Sequence, residues 1–282
     1  MGRRNIDSTT TAWITGGSSG IGFAVAQALA RQGARVVLIA RNRSRLGEAE
    51  RALEREAPDA EVIPVALDVS QEPAVKEVVP PILEKVGGAD ILVTAAGTAR
   101  PGYFEDLDTA VLDEALAVNV YGTWHMVGAL LPSLCERAGH IVTVSSFAGL
   151  LATFGYTAYG ASKYAVIGFS EALRAELAPR GVGVTVLCPA DTDTRQLAEE
   201  NRFKPPETAA LSAGASVMSA QAVAERCLRD IRRGRFLSIP GVRARLVYAL
   251  KRVAPRLLYR AMDRVVARAA RTDTAKRIHR RG

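Results

Sequence analysis

Cysteine is scarce in this sequence. Cys135, Cys188 and Cys227 are the only three among 282 residues, and they stand far apart with no CxxC pair. That usage excludes a disulfide framework and a cysteine zinc site, and it suits a reducing compartment. Histidine is as rare: His125, His140 and His279 fall at no metal-ligand spacing, so no metal is expected. No apolar run approaches the ~18 residues of a membrane-spanning helix. The opening "MGRRNIDSTTTAW" has no apolar stretch behind its arginines and does not read as a signal peptide. A cytoplasmic location follows as the expectation.

Acidic residues are missing from one region only. From Arg229 to Gly282 there are 17 Lys+Arg against 3 Asp+Glu, whereas the first 228 residues carry 20 and 26. The net charge of +8 therefore averages a mildly acidic body and a strongly basic tail. Proportions of 48% hydrophobic and 23% charged residues are those of an ordinary globular chain with one large core.

In the body, apolar runs alternate with amphipathic segments. The strand candidates are 12–15, 34–40, 61–67, 90–96, 140–146, 183–188 and 236–239, mostly continuous Val/Ile/Leu, as strands buried on both faces require. Helical patterns occupy 21–32, 43–57, 72–86, 108–134, 157–178 and 220–233. Such alternation predicts an α/β fold: a doubly wound parallel sheet, the Rossmann-type three-layer sandwich. Residues 1–240 form a single domain in this reading, with a basic helical extension over 241–282.

The first strand runs into "TGGSSGIG" (15–22) and then a helix. Gly16, Gly20 and Gly22 permit a tight turn, and with Ser18, Ser19 and Ile21 they bring backbone N–H groups and a positive helix end to a pyrophosphate. At the end of the second strand, where a carboxylate would accept the ribose hydroxyls of NAD, the chain reads Ala40, Arg41, Asn42, Arg43, Ser44, Arg45. Arg41, and Arg45 one turn further, suit the 2′-phosphate of NADPH. Asp68 and Val69 close the third strand, where Asp68 is placed to accept from an adenine amino group or to cap a helix.

The stretch "YTAYGASKYAV" (156–166) holds two tyrosines and a lysine. Residues four apart share a helix face, so Lys163 stands beside Tyr159, while Tyr156 has only Gly160 there. Tyr156 reads as part of a substrate wall or core. A phenol has a pKa of ~10, and Lys163 is the expected source of a field that lowers it.

Taken together, the glycine turn, "AAG" (95–97), Asn119 in "AVNVYG", Ser146 in "SSFAG", Tyr159 with Lys163, and "CPADTDT" (188–194) resemble the short-chain dehydrogenase/reductases over residues 12–240. One departure is Thr94-Ala95-Ala96-Gly97, where that family usually reads Asn first; its loss bears on the local tie between strands. Segments 104–108, 154–163 and 189–208 are similar to the 3-ketodihydrosphingosine (3-dehydrosphinganine) reductases. The resemblance implies NADPH-dependent reduction of a long-chain amino ketone. In it Ser146 orients the carbonyl, Tyr159 donates the proton, Lys163 holds the nicotinamide ribose, and Asn119 holds a relay water. Ala96, Gly97, Pro189, Thr192 and Thr194 contact the cofactor. A substrate lid covers about 191–218, with Asp191 and Asp193 placed near the substrate ammonium. Pairing through helices 108–134 and 157–178 implies a homodimer or homotetramer. Reduction of a 3-oxoacyl thioester, and a catalytically silent NADP-sensing protein, are the rival readings.

In the tail, Pro255 divides two short helical patterns. Leu257, Leu258, Ala261, Met262, Val265, Val266 and Ala269 form an apolar stripe beside Arg256, Arg260, Arg264 and Arg268. This pattern fits an anionic membrane surface at the inner face of a membrane, or a helix that covers the protein or a partner. No nucleic-acid partner is expected, since no reading motif accompanies the charge.

Overall fold

The run TAWIT forms strand β1 (Thr11–Thr15), buried along its whole length, as suits apolar residues covered on both faces. A computed structural model describes residues 5–213 and 217–279. Helix α1 (Gly20–Ala30), β2 (Arg35–Ala40), α2 (Arg43–Glu56), β3 (Val62–Ala66) and α3 (Glu72–Val86) complete the first half. Then come β4 (Ile91–Thr94), α4 (Thr109–Leu116) and α5 (Gly122–Glu136), joined by one π turn at Ala117–Tyr121. Next are β5 (His140–Val144), α6 (Thr157–Leu177) and β6 (Gly183–Leu187). A short excursion follows: β7 (Thr192–Asp193), α7 (Arg195–Glu200), α8 (Pro206–Ser212) and β8 (Met218–Ser219). The described chain closes with α9 (Ala220–Arg232), β9 (Leu237–Ser238), α10 (Val242–Val253) and α11 (Pro255–His279).

Seven strands form one parallel sheet in the order β3-β2-β1-β4-β5-β6-β9. Ala24, Val25, Leu53, Val223 and Cys227 cover one face from α1, α2 and α9. Val79, Met126, Leu130, Leu134 and Leu173 cover the other from α3, α5 and α6. The three-layer sandwich read from the sequence is the observed fold. Strand order reverses between β1 and β4, which pair from Ala12 with Ile91 to Thr15 with Thr94. Ligands of such sheets bind in the crevice at that switch point.

Two elements differ from the sequence pattern. The single helix expected over 108–134 is broken by the π turn, which carries Asn119. The second tail helix is not short but spans 25 residues, while α10 packs against Leu150, Val186, Cys188 and Ile239 through Ala244. Among the described residues, no helix is long and apolar enough to cross a membrane.

Candidate active site

The glycine turn between β1 and α1 is pressed against β4. Gly16 has φ +65°, and a Cβ there would lie 2.7 Å from the Ala95 carbonyl oxygen. At Gly22 a Cβ would lie 2.5 Å from the Gly16 carbonyl oxygen, so both positions admit only hydrogen. Ser19 stands at the N-cap of α1 but its hydroxyl makes no capping bond, which leaves the helix end to an anion. Gly16, Ser18, Ser19, Gly20, Ile21 and Gly22 line one end of a cavity of about 810 Å³.

Arg41, Arg45, Asp68 and Val69 line the same end, whereas Arg43 does not. Asn42 accepts from the Arg45 backbone N–H at 3.0 Å and caps α2, with Arg41 just before the cap and Arg45 in the first turn. Asp68 Oδ1 accepts from the backbone N–H and hydroxyl of Ser70 at 3.0 and 2.7 Å. Its Oδ2 lies 3.7 Å from Arg41. Asp68 therefore orders its own turn; the cap of α3 falls at Gln71.

The middle of the cavity is lined by Ala96, Gly97, Ser146, Tyr159 and Lys163. Ser146 ends the extension of β5, and its Oγ accepts from the Ala148 backbone N–H at 3.1 Å. Lys163 is buried; its Nζ donates to the Val144 carbonyl oxygen at 3.0 Å and lies 5.6 Å from the Tyr159 ring centre. Burial pushes the lysine down to about 8, against the nearby Cys188 and Glu200. Burial also pushes the Tyr159 phenol up, reinforced by the Glu200 and Asp191 charges and opposed by hydrogen bonds with Ser146 and Gln196. Without the dinucleotide, desolvation and the two carboxylates outweigh the hydrogen bonds, and the phenol is held protonated.

Asn119 is almost fully buried. Its amide donates to the Thr98 carbonyl oxygen and Ser162 Oγ at 3.0 and 2.9 Å, and accepts from the Thr98 backbone N–H at 2.9 Å. Both donors are used, so a water beside it would have to donate to one of its oxygens. A Cβ on Gly97 would stand 3.1 Å from Asn119 Oδ1; glycine lets the π turn close on β4. The Thr123 hydroxyl meets that of Thr94 at 3.3 Å.

The far end of the cavity is lined by Tyr156, Asp191, Gln196 and Glu200. Tyr156 donates to Glu200 Oε2 at 2.5 Å, with its ring 5.6 Å from that of Tyr159. It is buried in the cavity wall. Gln196 donates to Glu200 Oε1 at 2.8 Å. Asp191 lies 3.9 Å from Lys204. Asp193 is exposed and absent from the cavity wall, which corrects its placement beside a substrate. Side chains alternate along β7, so Thr192 turns inward and Asp193 outward. Pro189, Thr192 and Thr194 line the wall between the two ends, and Thr194 also caps α7 by accepting from Leu197 at 3.3 Å.

Sequence reasoning missed Gln196 and Glu200. In "RQLAEENRF" the neighbouring Glu199 forms an exposed pair with Arg195 at 2.7 Å, and nothing in the local pattern separates the two glutamates. Of the two readings of the tail stripe, the structure shows the helix that covers the protein. Leu258, Ala261, Met262 and Val265 line the cavity, so this face roofs the site, while Leu257 points away and is exposed. The outward apolar row is Leu246, Leu250, Val253 and Leu257.

A family model described as short chain dehydrogenase matches residues 10–205. The chain belongs to the short-chain dehydrogenase family. Within it, the chain is 40% identical over 232 residues to the 3-ketodihydrosphingosine reductase of Mus musculus, covering 81% of this chain and 70% of that protein. It is 37% identical over 241 residues to the 3-dehydrosphinganine reductase of Danio rerio, covering 84% and 73%. Among solved short-chain dehydrogenases, one from Burkholderia phymatum in complex with NAD aligns with a TM-score of 0.80 at 28% identity, covering 90% of this chain and 96% of that one. Another, from Sphingobium yanoikuyae in complex with NADPH, aligns at 0.74 and 27% identity, covering 89% and 95%.

Proposed function

We propose that this chain reduces the 3-keto group of 3-ketosphinganine to a secondary alcohol with NADPH. The observation that carries the reading is the meeting of Ser146, Tyr159 and Lys163 midway between a glycine-turn end and an apolar roof in one cavity. Relatives at 37–40% identity are named for this substrate. Bound at the glycine turn, the dinucleotide supplies a hydride to the carbonyl carbon. Ser146 and Tyr159 donate hydrogen bonds to the carbonyl oxygen, where negative charge develops. Tyr159 then gives up its proton to the alkoxide, a far stronger base than a phenolate. Holding the phenol protonated favours this direction. Lys163 is the partner for the nicotinamide ribose, and the Asn119 oxygens hold the water that returns a proton towards Lys163.

Arg41 and Arg45 support the choice of NADPH: two guanidinium groups at the cavity edge match a 2′-phosphate. Gly20, Ile21 and Gly22 would take the pyrophosphate; Ala96, Gly97, Pro189, Thr192 and Thr194 complete the cradle. Residues 1–240 make the reductase domain in this reading. Residues 191–218, of which 214–216 lie outside the described residues, serve as its lid, and 241–282 as its extension. Exposed Tyr121 and Trp124 beside the start of α5 support pairing of subunits through these helices. The outward row from Leu246 to Leu257, flanked by Arg245, Lys251, Arg252 and Arg256, supports peripheral contact with an anionic membrane.

The test is NADPH oxidation by the purified protein with 3-ketosphinganine, beside a 3-oxoacyl thioester and with NADH as the alternative donor. Turnover of the amino ketone with NADPH, lost by at least about 100-fold in Tyr159→Phe, is the expected result. Turnover of the thioester alone would overturn the substrate. No turnover of any ketone, with NADPH still bound, would point to a silent sensor.

A further inference from the structure

Glu200 is 8% exposed, at the C-terminal end of α7, on the wall of the cavity. Its two carboxylate oxygens accept from Tyr156 at 2.5 Å and Gln196 at 2.8 Å, both neutral donors. Lys163 feels its charge through space, but among the described residues no lysine or arginine forms an ion pair with it, whereas Asp191 on the same wall has Lys204 at 3.9 Å. A carboxylate taken out of water with no direct ion pair is costly. Such a group inside a ligand cavity points to a positive charge arriving with the ligand.

Its distance from the reacting centre fits one kind of cation. Tyr156, which donates to Glu200, has its ring 5.6 Å from that of Tyr159, and Gln196 donates to the same carboxylate. The carboxylate therefore lies one side chain away from the phenol that meets the ketone oxygen. In a 2-amino ketone the ammonium nitrogen sits on the carbon next to the carbonyl, three bonds from the oxygen. A ketone oxygen against Tyr159 and Ser146 leaves that nitrogen within reach of the far side of Gln196.

We infer that Glu200 receives the ammonium group of a 2-amino ketone, and so sets the specificity of the site; this rests on the reduction proposed above. Asp193 is outside the cavity and Asp191 already has a cation beside it, so neither competes for the role. The arriving ammonium would also offset the negative field that Glu200 casts on Tyr159, easing release of the phenolic proton in the occupied site. A thioester or simple ketone brings no such charge and would leave Glu200 unpaired.

The test compares wild type and Glu200→Gln on 3-ketosphinganine and on the same ketone lacking its amino group. Glutamine keeps the volume and an acceptor for Tyr156 while removing the charge. The expected result is a fall of about 100-fold in kcat/KM for the amino ketone, carried mainly by KM, and a much smaller loss for the other ketone. An equal fall on both substrates, or none on either, overturns the ammonium site while leaving the reductase reading intact. Wild type that ignores the amino ketone and reduces the other sinks that reading instead. Should the variant not fold, wild-type protein with NADP⁺ is titrated with sphinganine and N-acetylsphinganine. The free amine is expected to bind at least about tenfold more tightly, and equal binding overturns the inference.

Discussion

The Lys163 ammonium stands 5.6 Å from the Tyr159 ring centre, and the two groups are displaced from their ordinary pKa values in opposite directions. With the lysine pushed down to about 8, its charge is present below that pH and lost above it. Reduction of a ketone without an amino group should therefore show kcat/KM declining as pH rises through about 8. Lys163→Met should slow the reaction by about 10²- to 10⁴-fold and remove that limb. A wild-type profile flat to pH 10 would contradict the assignment. Stability should move the other way. An unfolded lysine keeps its proton to ~10.4, so from about 8 up to there the unfolded chain binds more protons, and Lys163 adds stability as pH rises. Thermal unfolding at both ends of that window, in wild type and Lys163→Met, isolates this contribution.

Arg41 reaches the cavity edge from the end of β2, with its guanidinium 61% exposed and 3.7 Å from Asp68. That exposure lets it swing onto a 2′-phosphate, and it limits what the contact is worth. Replacement by alanine should raise KM for NADPH about 10- to 100-fold and leave KM for NADH nearly unchanged. Initial rates with both donors decide the matter. Equal loss with both would place Arg41 in the fold of the turn rather than in cofactor choice.

Much of this arrangement is legible in the sequence because it is local. Helix α3 runs over residues 72–86, as its periodicity predicts. The i,i+4 spacing alone separates Tyr159 from Tyr156. What escapes is set by contacts distant in the chain. The upward displacement of Tyr159 depends on Glu200 and Asp191, more than 30 residues away. Glu199 and Glu200 are adjacent, yet one is exposed and paired while the other is buried. The tail stripe shows its amphipathic character but not what it faces, because packing against the cavity decides that.

Gly22 offers a test of the glycine turn that does not depend on turnover. A Cβ there meets the Gly16 carbonyl carbon and oxygen at 2.8 and 2.5 Å, and backbone atoms cannot rotate aside. Gly22→Ala should cost about 1–3 kcal/mol and abolish the fluorescence change on NADPH binding. Gly47→Ala in α2 is the control: its Cβ meets only the end of the Arg51 side chain, at 3.4 Å. That variant should be stabilised by about 0.5–1 kcal/mol, since glycine weakens a helix interior. Similar melting temperatures for the two variants would refute the tight packing of the turn.

The two faces of the tail predict separable phenotypes. Leu258, Ala261, Met262 and Val265 line the cavity, whereas Leu246 and Val253 are 65% and 85% exposed on α10. Lys251 anchors α10 by donating to the Leu150 carbonyl oxygen and to the Tyr164 hydroxyl, so the helix should stay in place when its outer row is changed. Leu246→Glu with Val253→Glu removes apolar area and adds two negative charges where an anionic surface would sit. Partitioning onto phosphatidylserine vesicles should fall at least about tenfold, with turnover of a short-chain ketone in solution retained. Met262→Glu should do the reverse: vesicle binding persists, while KM rises for long-chain substrates and changes little for short ones. The apolar roof can discriminate only against ketones long enough to reach it. If both variants lost vesicle binding alike, the inner and outer faces would not be independent, and α11 would have to leave the cavity when the protein meets a membrane.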